Sequence, residues 1–159
     1  MAVHRLPPRN RPLDASVYAE PFRPVFLTIR AAGGSVPFVD PLLNRRIVDA
    51  LLRERLRSRG ALYAYCLMPN HMHVLVAPLD GGASVLDMLR RFKGAATRIG
   101  WRFGLTGRLW QPRYYDSVLC RDSDVDRVVV CILDNPVRRG LAPCPDAYPW
   151  GGIVDPMPY

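Results

Sequence analysis

ALYAYCLMPNHMHVLVAP, residues Ala61 to Pro78, holds two apolar runs, Ala61–Met68 and Met72–Val76, on either side of a Pro-Asn step. Two such runs around a turn signal predict a β-hairpin. Side chains two apart in a strand share a face. His71 and His73 therefore project together, while Met72, Val74 and Val76 face the opposite way. Two imidazoles side by side on a sheet hold one divalent ion when a third ligand arrives from elsewhere. The same His-x-His also suits two surface histidines beside a turn, because short motifs match by chance.

Upstream of the hairpin, Val25–Ile29 (VFLTI) predicts a first strand from its β-branched and aromatic content. Residues 1–24 are rich in Pro and Arg and are expected to form a basic tail. Asp40 followed by Pro41 is a helix-start signal, a capping side chain and then proline at the first helical position. Leu43, Ile47, Leu51 and Leu52 recur at helical spacing, with Arg45, Arg46, Arg53 and Glu54 between them, up to an expected stop at Gly60.

Downstream, Asp80-Gly81-Gly82 reads as a loop and Ser84 as the cap of a second helix, with Asp87 as a weak capping-box partner. Leu89, Phe92, Ala96, Ile99 and Phe103 form its apolar stripe, and Arg90, Arg91, Lys93, Arg98 and Arg102 occupy the remaining arc. No acidic residue lies between Met88 and Tyr115, so this helix face suits either plain solvation or phosphate binding. After a Gly104–Gly107 turn, LWQPRYYDSVL (Leu109–Leu119) predicts a short strand over Tyr114–Leu119. Trp110, Tyr114 and Tyr115 lie among Arg108 and Arg113, a mixture that suits stacking of unpaired bases or simply the edge of a core. Asp122–Leu133 stays open: Val128–Leu133 reads as a buried strand, while Asp122, Ser123 and Asp124 look like a helix start. The order strand, helix, hairpin, helix, strand, helix matches a ferredoxin-like α+β sandwich, an antiparallel sheet with helices on one face and a site on the other.

A chain of 159 residues, 49% of them hydrophobic, suits one globular domain with a sizeable core. No apolar run approaches the roughly 18 residues needed to span a bilayer, and MAVHRLPPRNRP has no apolar segment of a secretory signal. Cys66, Cys120, Cys131 and Cys144 are scattered without a Cys-x-x-Cys pair, so a reduced, cytoplasmic setting is expected. The formal charge of +8 and the pI near 9.9 point to polyanions, nucleic acid above all. Lys93 is the sole lysine, and arginine forks suit phosphates and guanine edges.

Three blocks, YCLMPNHMHVLV (Tyr65–Val76), LWQPRYYDSVL (Leu109–Leu119) and DNPVRRGLA (Asp134–Ala142), together resemble the REP-associated tyrosine transposases, relatives of the small single-tyrosine HUH transposases of bacterial insertion sequences. The resemblance covers roughly residues 25–150 and implies one HUH transposase-like domain there, with 151–159 as a C-terminal tail. It implies binding of single-stranded or hairpin DNA and metal-dependent strand cleavage and rejoining, by monomers or by homodimers. His71 and His73 match the family's metal pair, Asn135 its third polar ligand, and Mg²⁺ or Mn²⁺ its expected ion. The family tyrosine stands four residues before that asparagine, and here the position is Cys131. Tyr114 and Tyr115 are the alternative nucleophiles. The competing reading is a catalytically inactive, domesticated protein that recognises DNA hairpins without cutting them. A zinc site built from Cys66, His71, His73 and Cys120 fits no standard spacing.

Overall fold

A computed structural model describes residues 14–118 and 122–157. Expectations for residues 1–13, Leu119 and Cys120 lie outside the described residues. The described residues hold five strands, β1 (Val25–Arg30), β2 (Gly60–Met68), β3 (His71–Pro78), β4 (Tyr115–Val118) and β5 (Gly151–Ile153), and three helices, α1 (Pro41–Arg57), α2 (Val85–Arg102) and α3 (Asp122–Arg138); the helices and the first four strands follow in the expected order, and β5 falls in the expected tail. The sheet order is β4-β1-β3-β2-β5, and each neighbouring pair is antiparallel. Its first four strands make the predicted ferredoxin-like sandwich.

The Asp40–Pro41 signal acts as predicted: the Asp40 carboxylate accepts from the Leu42 N–H at 2.8 Å, and proline opens α1. Ser84 caps α2 by accepting from the Asp87 N–H at 3.2 Å. Asp87 itself turns to Arg90 at 3.0 Å rather than closing a capping box. The stop after α1 differs from expectation. Arg59, not Gly60, takes the left-handed conformation with φ 51°, and a Cβ at Gly60 would stand 3.0 Å from Met88 Sδ. Gly60 is small so that α2 can approach the sheet, not because the backbone turns there.

The sheet buries both faces, against different partners. Val25, Leu27, Ile29, Met72, Val74 and Val76 pack with α1 and α2 through Leu43, Ile47, Leu51, Leu89 and Phe92. Ala61, Tyr63, Cys66, Leu75 and Ala77 pack on the other face against Val125, Val128, Val129 and Ile132 of α3. Thus α1 and α2 share one face, and α3 covers part of the opposite one. A bulge between Leu62 and Ala64 inserts one residue and reverses the parity of β2, so Leu62 and Leu67 share a face despite odd spacing. The open stretch resolves as helix. Val125, Val128, Val129 and Ile132 repeat at helical spacing and are buried, while Val130 is 65% exposed.

Both ends of the domain extend past the boundaries read from sequence. Tyr18, placed in the tail, is 1% exposed, and the Phe22 N–H donates to the Pro78 carbonyl at 2.7 Å. At the other end Gly151–Ile153 pairs with Ala64–Cys66, and Asp155 reaches Arg55 of α1 at 3.2 Å. No helix among the described residues is long and apolar enough to cross a membrane.

Candidate metal centre

His71 and His73 open β3 on the α3 side of the sheet, and their Nε2 atoms stand 3.1 Å apart. The alternation of the strand does this alone, without any long-range contact. Burial and hydrogen bonds then fix the rings. Asn70 Oδ1 accepts from His71 Nδ1–H at 2.6 Å, which leaves the His71 Nε2 lone pair facing inward. His73 Nδ1 shares a hydrogen bond of 2.8 Å with Thr28 Oγ1 on β1. Asn135, 8% exposed on α3, donates from Nδ2 to His71 Nε2 at 3.2 Å. Packing of α3 on β2 and β3 delivers this third group from 64 residues away in sequence.

Two neutral imidazoles and one amide therefore converge on one point. Turned by half a rotation, the Asn135 amide presents its oxygen instead of its nitrogen, and the three side chains then form an N, N, O donor set. Such a set fits Mn²⁺ or Mg²⁺, whose remaining positions go to water and phosphate oxygens. Among the described residues no group of three or more His, Cys, Asp or Glu side chains is placed to hold a metal, and the third polar group beside the two imidazoles is the Asn135 amide. Burial, then the Arg30 and Arg139 charges, lowers the His71 pKa to about 4. Burial, then His71, Arg138, Arg30 and Arg139, lowers that of His73 to about 3. Both rings are thus neutral at physiological pH, the form in which an imidazole can ligate a metal.

Arg30, Arg138 and Arg139 lie near enough to this pair for their charges to act on it, and none was singled out from sequence. Arg30 pairs with His71 in register, so both lie on one face. Arg138 is anchored by its bond to the Cys131 carbonyl at 2.9 Å, while Arg139 is exposed at the end of α3. The doublet Arg138-Arg139 was visible in the DNPVRRGLA block. Arg30 and Thr28 were not, because their relation to the histidines depends on which strand neighbours β1.

The nucleophile candidates separate. Cys131 lies half-buried on α3, one turn before Asn135. Tyr115 opposes Thr28, which opposes His73, so Tyr115, Thr28 and His73 form one row across the sheet on the same face. Its ring is 48% exposed, and the Arg30 guanidinium stands 5.3 Å from the ring centroid. Tyr114 packs against the α1–α2 core instead.

The proposed DNA contacts are divided by the sheet. Arg90, Arg91, Arg98 and Arg102 are exposed on α2, across the sheet from the histidines. Arg113 is exposed just before β4. Lys93 is half-buried and donates to the Gln111 carbonyl at 2.7 Å; desolvation lowers its pKa. Trp110 corrects the base-stacking expectation. It is 3% exposed, with its ring 4.8 Å from Phe38 and 5.9 Å from Phe92, and it serves the core. The exposed indole is Trp101, 54% accessible. Cys66 opposes His73 in register, but its thiol is sealed in the core, and burial pushes its pKa to about 12, which opposes the zinc reading.

No protein-family model matches the sequence, and no curated protein matches it either. Solved structures do match in fold. A REP-associated tyrosine transposase bound to a REP hairpin superposes with a TM-score of 0.70 at 19% identity, over 95% of this chain and 82% of that one. A structure from Deinococcus radiodurans R1, described as that of a transposase, superposes with a TM-score of 0.53 at 16% identity, over 76% of this chain and 92% of that one. The chain shares its fold with both structures, and with the REP-associated tyrosine transposase along nearly the whole of this chain.

Proposed function

We propose that the protein is a relative of the REP-associated tyrosine transposases that binds single-stranded or hairpin DNA, with a Mn²⁺ or Mg²⁺ ion held by His71, His73 and Asn135. The observation that carries this reading is the meeting of two neutral imidazole nitrogens, 3.1 Å apart, with a buried amide brought by α3. Arg30, Arg138 and Arg139 add positive charge where a phosphodiester would lie, and arginine is well shaped for phosphate oxygens. A bound divalent ion there withdraws charge from the phosphate and eases departure of the leaving oxygen. The hairpin seen with the transposase of the same fold supports a hairpin as ligand.

Cys131 standing where the family has its tyrosine favours recognition without strand cleavage. A thiol at that position ends well short of a phenol. One observation favours a second reading, cleavage from β4: Tyr115 is exposed on the histidine face in register with Thr28 and His73. In that case the Tyr115 oxygen bonds to phosphorus, the P–O3′ bond breaks, and the tyrosine proton is lost while the 3′ oxygen gains one.

Incubation with hairpin-bearing single-stranded DNA and Mn²⁺, followed by denaturing electrophoresis, separates the two. No covalent protein–DNA band is expected from the native chain. Cys131→Tyr is expected to create one, and adding His71→Ala to remove it. A strong native adduct mapping to Tyr115 would establish the second reading. Absence of any hairpin binding would sink both.

A further inference from the structure

A cleft of about 400 Å³ opens at the C-terminal end of α2, on the helical side of the sheet. We propose that it receives one unpaired nucleotide of a bound DNA strand; this rests on the DNA-binding reading above. Val36, Trp101, Leu105, Thr106, Arg108 and Leu109 are among its lining residues. A volume in the range of small-ligand pockets, with Val36, Leu105 and Leu109 beside the polar Ser35, Thr97, Thr106 and Arg108, suits one base and its sugar.

Three features select that occupant. The first is a rigid aromatic wall. Trp101 is 54% exposed, yet its Nε1–H donates to the Gly107 carbonyl at 2.9 Å, so the ring is held in place while remaining open to solvent. A fixed, exposed indole stacks on any base without needing its edge. The second is charge of a single sign. Arg90, Arg91, Lys93, Arg98, Arg102, Arg108 and Arg113 carry the whole formal charge between Met88 and Tyr115. Among the described residues no carboxylate pairs with Arg98, Arg102 or Arg108. A polyanion matches that surface, and an acid-free aromatic cleft matches the base it carries.

The third is continuity with the histidines. Ser35, Val36 and Pro37 form one side of the cleft, and the next residue, Phe38, donates its N–H to the Pro69 carbonyl at 3.0 Å. Pro69 belongs to the turn that leads into His71, and the Ala31 N–H donates to the Asn70 carbonyl in the same turn at 2.9 Å. The cleft and the histidine pair therefore meet the same end of the sheet from opposite faces. A strand leaving the histidines passes over this end to reach Trp101. Gly100 shapes the floor: a Cβ there would stand 3.3 Å from Leu105 Cδ1, so the helix is pared to let the loop close against it.

Fluorescence anisotropy with two probes tests this, a blunt DNA hairpin and the same hairpin bearing an unpaired oligothymidine tail. The tail is expected to tighten binding by about tenfold, the size of one good base–aromatic stack. Trp101→Ala should erase that gain and leave blunt-hairpin affinity unchanged, while Trp101→Phe keeps most of it. Arg108→Gln should reduce the gain more at low than at high salt. If the tail adds nothing, or if its gain survives Trp101→Ala, the cleft assignment is overturned while hairpin binding stands. If neither probe binds the native protein, the DNA-binding reading itself fails and takes the cleft with it.

Discussion

The two faces of the sheet handle positive charge and nitrogen donors in opposite ways. On the α3 face, two imidazoles are half-buried, neutral and hydrogen-bonded, with guanidinium charges near enough to lower their pKa values. On the α2 face, Arg90, Arg91, Arg98 and Arg102 are exposed to solvent, with Arg90 paired to Asp87. The first arrangement is local and depends on exact donor geometry. The second is diffuse and depends on the number of charges. Removing one member should therefore be severe on the α3 face and graded on the α2 face.

The largest effect is expected from His73→Ala. Losing one of two imidazoles leaves too few protein donors to hold a divalent ion, so Mn²⁺ binding, followed by electron paramagnetic resonance, should fall below detection. Retained binding would show that the histidine pair is not the ion site. Thr28→Val should come next, at about 10- to 100-fold weaker Mn²⁺ binding, the usual range for a group that orients a ligand. In the ion-free protein His71 Nε2 is an acceptor, so the short contact between the rings requires His73 Nε2–H to donate, with Nδ1 accepting from Thr28. An ion requires the other tautomer, and the Thr28 hydroxyl can turn from donor to acceptor. Valine can do neither. Unchanged affinity in Thr28→Val would remove Thr28 from this role.

Replacing Arg90, Arg91 and Arg98 together by Ala should leave Mn²⁺ binding intact. It should weaken single-strand binding and lower the salt slope by about 2, near 0.7 for each phosphate no longer neutralised. An unchanged slope would place the DNA path wholly on the α3 side.

What the sequence revealed follows the same division between local and distant relations. The histidine pair was legible because an i, i+2 relation in a strand needs no partner. Asn135 came only through the family resemblance, since nothing in spacing joins it to β3. The stretch Val128–Leu133 was ambiguous because its β-branched run suits a buried strand, and packing of Val125, Val128, Val129 and Ile132 against β2 made it a helix. Arg30 and Thr28 were illegible for a stricter reason: their side of the sheet follows from alternation, but their closeness to the histidines follows from β1 pairing with β3. Trp101 and Trp110 both lie among arginines, and only the fold shows which indole is buried and which is open. The bulge at Leu62/Ala64 reverses face parity with no glycine to mark it.

The smallest expected effect is a near absence of change, and it tests the neutrality of the α3 face directly. Ordinary histidines titrate near 6.5. A pair of them would lose roughly 100-fold in ion affinity to proton competition at pH 5.5. With pKa values of about 4 and about 3, His71 and His73 stay unprotonated there, so Mn²⁺ affinity should change less than about twofold between pH 7.5 and 5.5. The ion-free protein should respond in a complementary way. As pH falls below about 6.5, unfolded histidines take up protons that the folded pair refuses. The unfolded state then binds more protons, so this contribution lowers stability from about pH 6.5 downward and levels off only below the folded values of about 4 and about 3. Melting temperature measured from pH 7.5 to 4 should fall more steeply in the native chain than in the His71→Asn, His73→Gln double variant, which lacks the titrating rings. Equal slopes, together with a 100-fold loss of Mn²⁺ affinity at pH 5.5, would mean that the rings are exposed to solvent. The contrast between the two faces would then disappear.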